Sequence, residues 1–368
     1  MNTTVMGKWQ CRVVGLMGAL AIGLGALKPA FAQEYFDSYG LAPASPALDL
    51  GVQPLGYPSG VISSVMLRDR VLRKALATAQ RPLKMHPFRR GADMVALLAD
   101  GRLEAGLLGD MPTILAASTS SVWIVGLVKQ TSTALVALGG NQVADLSGKR
   151  IGYVEASSAH HTLLQGLTSA GLRENQVKLV SLSVSDMPAA LARGDIDAFA
   201  AWEPAPTIAL AQNPRNHVVF RGLSSDYFVI GQDFARREPQ LARHLLAGFM
   251  RSISWMRLSQ ANVEQAARWA MADTASFSGK PSALTSGQII SITRREILEV
   301  PSAPVILINP GAPVLKAEFE FLSRLSKLPD SARWLNLQQA LAYDGLAKVL
   351  ADPKTYQLRT FDYDDVSP

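Results

Sequence analysis

The sequence contains little cysteine, little histidine and little charge, and each scarcity excludes a class of protein. Of the 368 residues, one is cysteine (Cys11) and five are histidine. A cysteine-ligated zinc site, an iron–sulfur cluster and a disulfide framework are therefore excluded. Charged residues make up 18% and apolar residues 48%, which is typical of a globular chain with about two domains.

Basic charge is also limited once its position is considered. The formal net charge is +6, but Lys8, Arg12 and Lys28 all lie within the first 32 residues, which contain no acid. No later run of basic residues is typical of nucleic-acid binding. We therefore expect no nucleic-acid partner.

Residues 1–32 have the pattern of an export signal. Lys8 and Arg12 precede a charge-free apolar stretch over residues 13–27, and Ala30-Phe31-Ala32 follows as an A-x-A cleavage site. The alternative is a membrane anchor, but this stretch is too short to cross roughly 30 Å of hydrocarbon as a helix. We expect cleavage after Ala32, a periplasmic location and an extended lead-in over 33–47.

The remaining chain alternates predicted strands and helices, which favours parallel sheets covered by helices. After Asp226 the pattern becomes mostly helical. Two copies of one layout are present, each running strand, loop, helix, strand, short helix, glycine and strand. The alternative to an internal repeat is coincidence between two ordinary turns. A long amphipathic helix is predicted to begin near Pro239. Strands are predicted near 48–53, 82–88, 104–108, 122–128, 134–138, 149–154, 177–181 and 196–200. The other helices are predicted near 61–78, 92–100, 160–170, 187–193, 262–271, 285–298, 313–327 and 335–350.

Two similar α/β lobes predict a ligand cleft between them. Ligands of open parallel sheets bind beyond the carboxyl ends of the strands, where helix N-termini also favour anions. The binding loops should therefore follow Gln53, Phe88, Leu108, Val154 and Ala201.

Motifs in these loops carry a family resemblance. They are D-L-x-G-K at 145–149, S-S-A-H at 157–160, A-L-x-x-G-x-I-D-A at 190–198, W-E-P at 202–204 and G-D-x-P at 109–112. The set resembles the periplasmic substrate-binding proteins of aliphatic-sulfonate, taurine and nitrate ABC importers. Those proteins have the type II periplasmic binding protein fold, which thiamine-pyrimidine synthases share. The resemblance covers roughly residues 48–260.

The resemblance implies an α/β fold of two lobes, each a mainly parallel sheet flanked by helices, with the ligand cleft between them. Lobe one would comprise 48–131 and 225–368, and lobe two would comprise 134–222. The chain would cross between the lobes near 130–133 and 222–226. The two lobes would close on the ligand about these crossings.

The predicted ligand-binding residues lie in the loops and helix starts at the cleft. Several have structural alternatives: helix capping for the serines, core packing for Trp202, hinge bracing for Glu203 and solvation for Arg90 and its neighbour Arg89. His160 and His161 are adjacent on a helix and point in different directions, so they do not form a metal pair. The predicted set is Tyr57, Ser59, Arg90, Asp110, Met111, Ser157, Ser158, His160, Trp202 and Glu203.

The function implied by the resemblance is binding and not catalysis. The chain would be a monomeric solute-binding component that delivers an aliphatic sulfonate or taurine to an inner-membrane permease with its cytoplasmic ATPase, without metal or cofactor. The alternatives are a binding protein for nitrate or a thiamine pyrimidine precursor, an enzyme of the same fold, or a sensory domain. The thiamine-pyrimidine enzymes carry a cysteine-rich motif that this chain lacks. A histidine-kinase sensor would need a second membrane segment.

Export makes a first prediction. Mass spectrometry of periplasmic protein should identify Gln33 as the first residue, because signal peptidase cleaves after the A-x-A motif. Soluble protein that retains Met1 would contradict the predicted location.

Overall fold

The computed structural model describes residues 41–42, 45–309, 311 and 313–365. The predicted export signal and most of the predicted lead-in lie outside these residues. Within them, all named strands belong to one eight-stranded sheet in the order β2-β1-β3-β8-β4-β7-β5-β6. The strands are β1 (Leu48–Val52), β2 (Leu83–Pro87), β3 (Ala105–Gly109), β4 (Val122–Leu138), β5 (Arg150–Tyr153), β6 (Lys178–Ser181), β7 (Ala198–Ala201) and β8 (Asn216–Gly231).

Helices flank the sheet and dominate the chain after β8, which confirms the predicted mixed α/β architecture. A π turn over Arg294–Leu298 follows α11. The α-helices are α1 (Ser59–Arg68), α2 (Arg70–Thr78), α3 (Val95–Ala99), α4 (Asp110–Ala117), α5 (Ser158–Ser169), α6 (Met187–Arg193), α7 (Ala205–Gln212), α8 (Gln232–Arg237), α9 (Pro239–Leu258), α10 (Gln260–Ser278), α11 (Ser286–Thr293), α12 (Lys316–Arg324), α13 (Trp334–Ala340) and α14 (Gly345–Ala351).

The predicted repeat is confirmed by the strand pairing. In the first copy β1 lies between β2 and β3, and both of its pairings are parallel. In the second copy β5 lies between β6 and β7, again with two parallel pairings. The two copies therefore have the same topology, and the antiparallel pair of β4 and β8 joins them into one sheet.

The prediction of two strands over 122–128 and 134–138 is wrong, because β4 is a single strand of 17 residues. The polar stretch between them lacks an apolar pattern, but its backbone pairs fully with β8. Gln130 lies opposite Ser225, and Thr133 lies opposite Gly222. Backbone hydrogen bonds do not depend on side-chain polarity, so local hydropathy did not reveal the continuity. The two predicted crossings are thus paired with each other, whereas the lobe boundaries stay a prediction.

The helix predicted over 61–78 is also wrong, because the structure has two helices separated by Asp69. The backbone of Asp69 is extended (φ −72°, ψ 102°), and its carboxylate accepts a hydrogen bond from the Leu72 N–H at 3.0 Å. Asp69 thereby caps α2 at a point where apolar spacing alone predicts continuous helix. The predicted helix over 335–350 is likewise two helices, α13 and α14.

Asp69 also makes a buried ion pair that links the first helices to the C-terminal region. The Asp69 carboxylate lies 2.7 Å from Arg251 of α9, and both side chains are 1% exposed. Arg251 also donates to the Tyr356 carbonyl at 2.8 Å. Removing one partner of such a pair leaves a buried charge without compensation.

Asp69→Ala should therefore lower the free energy of unfolding by about 3–5 kcal/mol. It removes the helix cap and leaves the Arg251 guanidinium buried without its carboxylate. Urea unfolding measures the difference. Asp362→Ala is the matched control, because its pair with Arg70 is about half exposed and should contribute at most ~1 kcal/mol. Equal effects of the two substitutions would contradict this account.

Candidate functional site

A buried ion pair lies in the middle of the β4–β8 ladder. Lys129 of β4 is opposite Asp226 of β8, and the Lys129 ammonium lies 3.6 Å from the Asp226 carboxylate. Ser59, the first residue of α1, donates its hydroxyl to the same carboxylate. Burial alone would lower the pKa of Lys129, but Asp226 and three further acids outweigh burial and raise that pKa. Lys129 is therefore charged.

Asp110 begins α4 beside this pair. Its side chain is buried, and its carboxylate accepts from the Met111 N–H at 2.8 Å and from the Ser225 N–H at 3.5 Å. Burial, followed by the nearby Glu318 carboxylate, raises the pKa of Asp110 to about 7. The Asp110 carboxyl group can therefore gain or lose a proton near neutral pH.

Glu203 connects the end of β7 to the π turn after α11. Arg295 donates to Glu203 at 3.0 Å and to Glu296 at 2.7 Å. Glu203 also accepts from the Thr207 N–H in the first turn of α7. Glu296 is 1% exposed, and its Oε2 atom has no hydrogen-bond partner among the described residues. Burial is the main cause of the raised pKa of Glu296.

Acidic side chains outnumber basic ones around Lys129. The ammonium of Lys129 and the guanidinium of Arg295 face four carboxyl groups, and Glu318 approaches from α12. The four carboxyl groups are those of Asp110, Glu203, Asp226 and Glu296. Unpaired buried charge is costly, so such a site holds protons or binds a cationic group. We call the set Asp110, Lys129, Glu203, Asp226, Arg295 and Glu296 the acid-rich cluster.

The start of α5 forms a second group with different chemistry. Ser157 caps the helix: its Oγ accepts from the His160 N–H at 3.2 Å and donates to the Val154 carbonyl at 2.7 Å. The capping interpretation of Ser157 is thus confirmed, and its contact with ligand stays a prediction. Ser158 follows as the first helical residue and is buried. Free N–H groups in this first turn favour an anion.

His160 presents a buried donor in the same turn. Its Nδ1 accepts from the Ala156 N–H at 3.3 Å, whereas its Nε2 has no partner among the described residues. Burial lowers the pKa of His160, so the imidazole is neutral at pH 7. With Nδ1 accepting, the proton is assigned to Nε2, which makes Nε2 a buried donor without an acceptor. The rings of Tyr153 and Phe321 lie 4.8 and 5.4 Å from the imidazole.

The other predicted residues make separate contacts. Tyr57 is 3% exposed and hydrogen-bonds Thr274 at 2.9 Å. Arg90 has a 68% exposed side chain and pairs with Asp93 at 2.6 Å. Trp202 packs on the hydrophobic core around β5 and α5. Ligand contact at each of these positions stays a prediction.

The structure therefore brings together Ser59, Asp110 and Glu203 in one group and Ser157, Ser158 and His160 in another, with Met111 buried beside Asp110. The predicted set missed five residues of these groups: Lys129, Asp226, Arg295, Glu296 and Phe321. A lysine that directly follows the apolar run of 122–128 was the available signal for the first of these.

The described part of the chain has neither a metal-ligand cluster nor a membrane-spanning helix. Within it, no three histidine, cysteine or acidic side chains are grouped closely enough to hold a metal ion. Nor does any helix there combine the length and apolarity needed to cross a membrane.

The fold is that of the two-lobed periplasmic binding proteins. The crystal structure of the periplasmic aliphatic sulphonate binding protein SsuA from Escherichia coli superposes with a TM-score of 0.62 at 21% identity, covering 83% of this chain and all of that one. The same fold occurs in the periplasmic nitrate-binding protein NrtA of Synechocystis (TM-score 0.56, 12% identity) and in the desulfurization enzyme DSZB (TM-score 0.59, 14% identity).

Sequence comparison points to the same class. The NMT1-like family matches residues 113–271. A candidate aliphatic sulfonates-binding protein of Escherichia coli K12 is 30% identical over 164 residues, which are 43% of this chain and 51% of that protein. The taurine-binding periplasmic protein of the same organism is 33% identical over 166 residues, 42% of this chain and 52% of that protein. The matched region spans about half the length of these relatives, and the predicted family resemblance is confirmed.

The raised pKa of Asp110 predicts a pH-dependent stability. In the unfolded chain this carboxyl group loses its proton near its ordinary pKa of 3.8, but in the folded protein it does so only near 7. Between these values the folded state binds more protons, so the free energy of unfolding falls as pH rises. Above about pH 7 the loss is complete.

Asp110→Asn cannot ionise and should lack this loss. Relative to wild type, its free energy of unfolding should rise by about 2–3 kcal/mol between pH 5 and pH 8. Urea unfolding at several pH values measures the difference. Asp233→Asn is the control, because the Asp233 side chain is 81% exposed. A difference for Asp110→Asn that stays constant with pH would contradict the raised pKa.

Proposed function

We propose that the chain is the solute-binding component of an ABC importer, and that it binds a small organic anion of the aliphatic sulfonate or taurine class. The protein would be exported to the periplasm, would act as a monomer without cofactor, and would deliver its ligand to a membrane permease driven by a cytoplasmic ATPase. The relatives support this assignment, since two of them bind sulfonates or taurine by name.

The observation that carries the ligand class is the unsatisfied donor at the start of α5. The Nε2–H of His160 is buried without an acceptor among the described residues, and it lies in the helical turn that Ser157 caps. A sulfonate oxygen would accept from this donor and from the free N–H groups of the turn. A metal cation would be repelled by the positive end of the helix dipole.

The acid-rich cluster favours an amino-sulfonate within this class. A ligand ammonium group would compensate the surplus of carboxylates, which otherwise must hold protons. An unsubstituted alkanesulfonate would lack this compensation. We therefore expect taurine to bind more tightly than ethanesulfonate, which has the same carbon skeleton without the amino group.

Binding without chemistry is the simplest activity for these residues. The fold is shared with a desulfurization enzyme, but Cys11 lies in the predicted signal, and the exported chain would contain no thiol nucleophile. Nitrate and a thiamine pyrimidine precursor remain the competing ligands. Nitrate would leave the acid-rich cluster without a cation, and a pyrimidine would use aromatic contacts.

Calorimetric titration with taurine, ethanesulfonate, nitrate and a thiamine pyrimidine precursor tests the proposal. We expect saturable binding of taurine. Ser157→Ala with Ser158→Ala should weaken that binding by about 1–3 kcal/mol. A desolvated sulfonate oxygen loses the Ser158 hydroxyl, and the N–H groups of the turn lose the Ser157 cap that orients them. A lost cap instead lowers the melting temperature of the free protein, by an amount equivalent to ~1 kcal/mol.

Ser183→Ala with Ser185→Ala is a matched control on an exposed turn, where the two hydroxyls bond each other. Tighter binding of nitrate or of the pyrimidine than of taurine would overturn the ligand class. Taurine affinity within twofold of wild type in the Ser157/Ser158 variant would reject α5 as the anion site.

A further inference from the structure

Helix α12, in the helical region after β8, contacts α4 of the predicted lobe one and α5 of the predicted lobe two. It packs against α4 on one side and against α5 on the other. On α12, Glu318 approaches Asp110, the first residue of α4. One turn later, Phe321 stacks on His161 of α5, with ring centroids 4.8 Å apart and an interplanar angle of 26°.

The contact with α5 buries a large apolar side chain. Phe321 is 2% exposed, although it lies on a short helix near the end of the chain. Its ring also meets His160 edge-on. Lys327, which follows α12, forms an ion pair at 3.1 Å with Glu155, which lies in the loop between β5 and α5. Apolar burial and an ion pair thus fasten this segment to the start of α5.

The attachment of the segment to the α4 side is independent of these contacts. The Ser118 carbonyl, at the end of α4, accepts from the Arg333 N–H and from the Asn336 side chain, each at 2.9 Å. Trp334 in turn packs against Phe319 and lies 4.6 Å from the Lys316 ammonium. The segment is therefore anchored to α4 through α13 as well as through α12.

Two pockets lie on the α5 side of this segment. Two cavities along the described chain, of about 440 and 370 Å³, are lined by residues of the β5–α5–β6 region and α12, and neither reaches Asp110 or Asp226. The second lies against Phe321 and Arg324 themselves. The second pocket is therefore bounded by α5 and α12, the two helices that these contacts hold together.

We propose that residues 316–327 form a clasp that joins the two lobes and must release from α5 before ligand can enter. The proposal rests on the proposed function, because only a hinged pair of lobes needs to separate. Any movement of α5 away from α4 must break the contacts of α12 with one of them. The anchors at Ser118 hold α12 to α4, so the contacts of Phe321 and Lys327 break.

A reversible crosslink across the clasp tests the proposal. Glu155→Cys with Lys327→Cys, in a Cys11→Ser background, places two thiols at a half-exposed ion pair. A short bis-methanethiosulfonate reagent links them, and a reductant cleaves the link. The matched control is Arg70→Cys with Asp362→Cys, a similarly exposed pair at 3.3 Å that does not span the lobes.

We expect the rate of taurine binding, measured by stopped-flow fluorescence, to fall at least tenfold in the crosslinked protein and to recover on reduction. The control crosslink should leave the rate unchanged. An unchanged rate across the Glu155–Lys327 crosslink would overturn the clasp. Absence of taurine binding in the reduced protein and in wild type would instead count against the proposed function.

A measurement without ligand tests the clasp separately from the proposed function. Phe321→Ala should speed amide hydrogen exchange across α12 at least tenfold and enlarge the radius of gyration by small-angle scattering. Glu320→Ala, at an exposed position of the same helix, should do neither. Wild-type exchange and radius in Phe321→Ala would overturn the clasp even where taurine binds.

Discussion

The arrangement of the site depends on one buried ion pair, between Lys129 and Asp226 in the β4–β8 ladder. Among the described strands, these two run through both halves of the sheet. A lysine buried there is charged only because acids surround it, since burial by itself favours the neutral amine. The need to compensate this one ammonium group explains why Asp226, Asp110 and Glu296 converge from separate elements. The start of α1 is fixed to the same point through Ser59.

The carboxyl groups around Lys129 outnumber the cationic side chains that they face. This surplus of acids favours a bound cation or retained protons in the region. Four carboxyl groups face two cationic side chains. Burial, followed by the Glu318 carboxylate, raises the pKa of one of the four, Asp110, to about 7. The start of α5 has the opposite character, because a neutral imidazole and a helix N-terminus offer donors. A ligand that spans the two groups needs a cationic end and an anionic end. An amino-sulfonate, the ligand class proposed above, has both.

The sequence predicts the two repeated halves well, because each consists of short local units. Each unit has a local sequence pattern that spans about a dozen residues: an apolar strand, a capped helix and a glycine at the helix end. Ser157 caps α5, and Gly194 ends α6. The predictions failed where a distant partner determines the local structure. Asp69 lies between two helices, where its carboxylate binds Arg251 from 182 positions away and also caps α2. The polar middle of β4 is a strand because β8 pairs with it.

The candidate site follows the same division. Ser157, His160, Asp110 and Glu203 lie in motifs, so the resemblance identified them from short stretches of sequence. The sequence did not predict which residues contact them, because such partners are distant in the chain. Arg295, for example, binds Glu203 from 92 positions away. Phe321 lies on a predicted helix, but no periodicity indicates that its ring will cover two histidines.

The position of α12 joins the two chemistries of the site. Glu318 and Phe321 lie one turn apart on the same face, so one rigid helix carries a carboxyl group to Asp110 and an aromatic ring to His160. Two ionised carboxylates facing each other in a buried setting would repel, and burial raises the pKa of both Glu318 and Asp110. The packing of α12 against α4 is therefore tied to a proton held in this pair. Its packing against α5 combines the stacked ring of Phe321 with the Lys327–Glu155 ion pair. Burial lowers the pKa of His160 and of His161, so both rings beside Phe321 are neutral at pH 7. The proton-dependent contact lies on the side that α13 also anchors through Ser118, so α5 can separate from α12 without that anchor being lost.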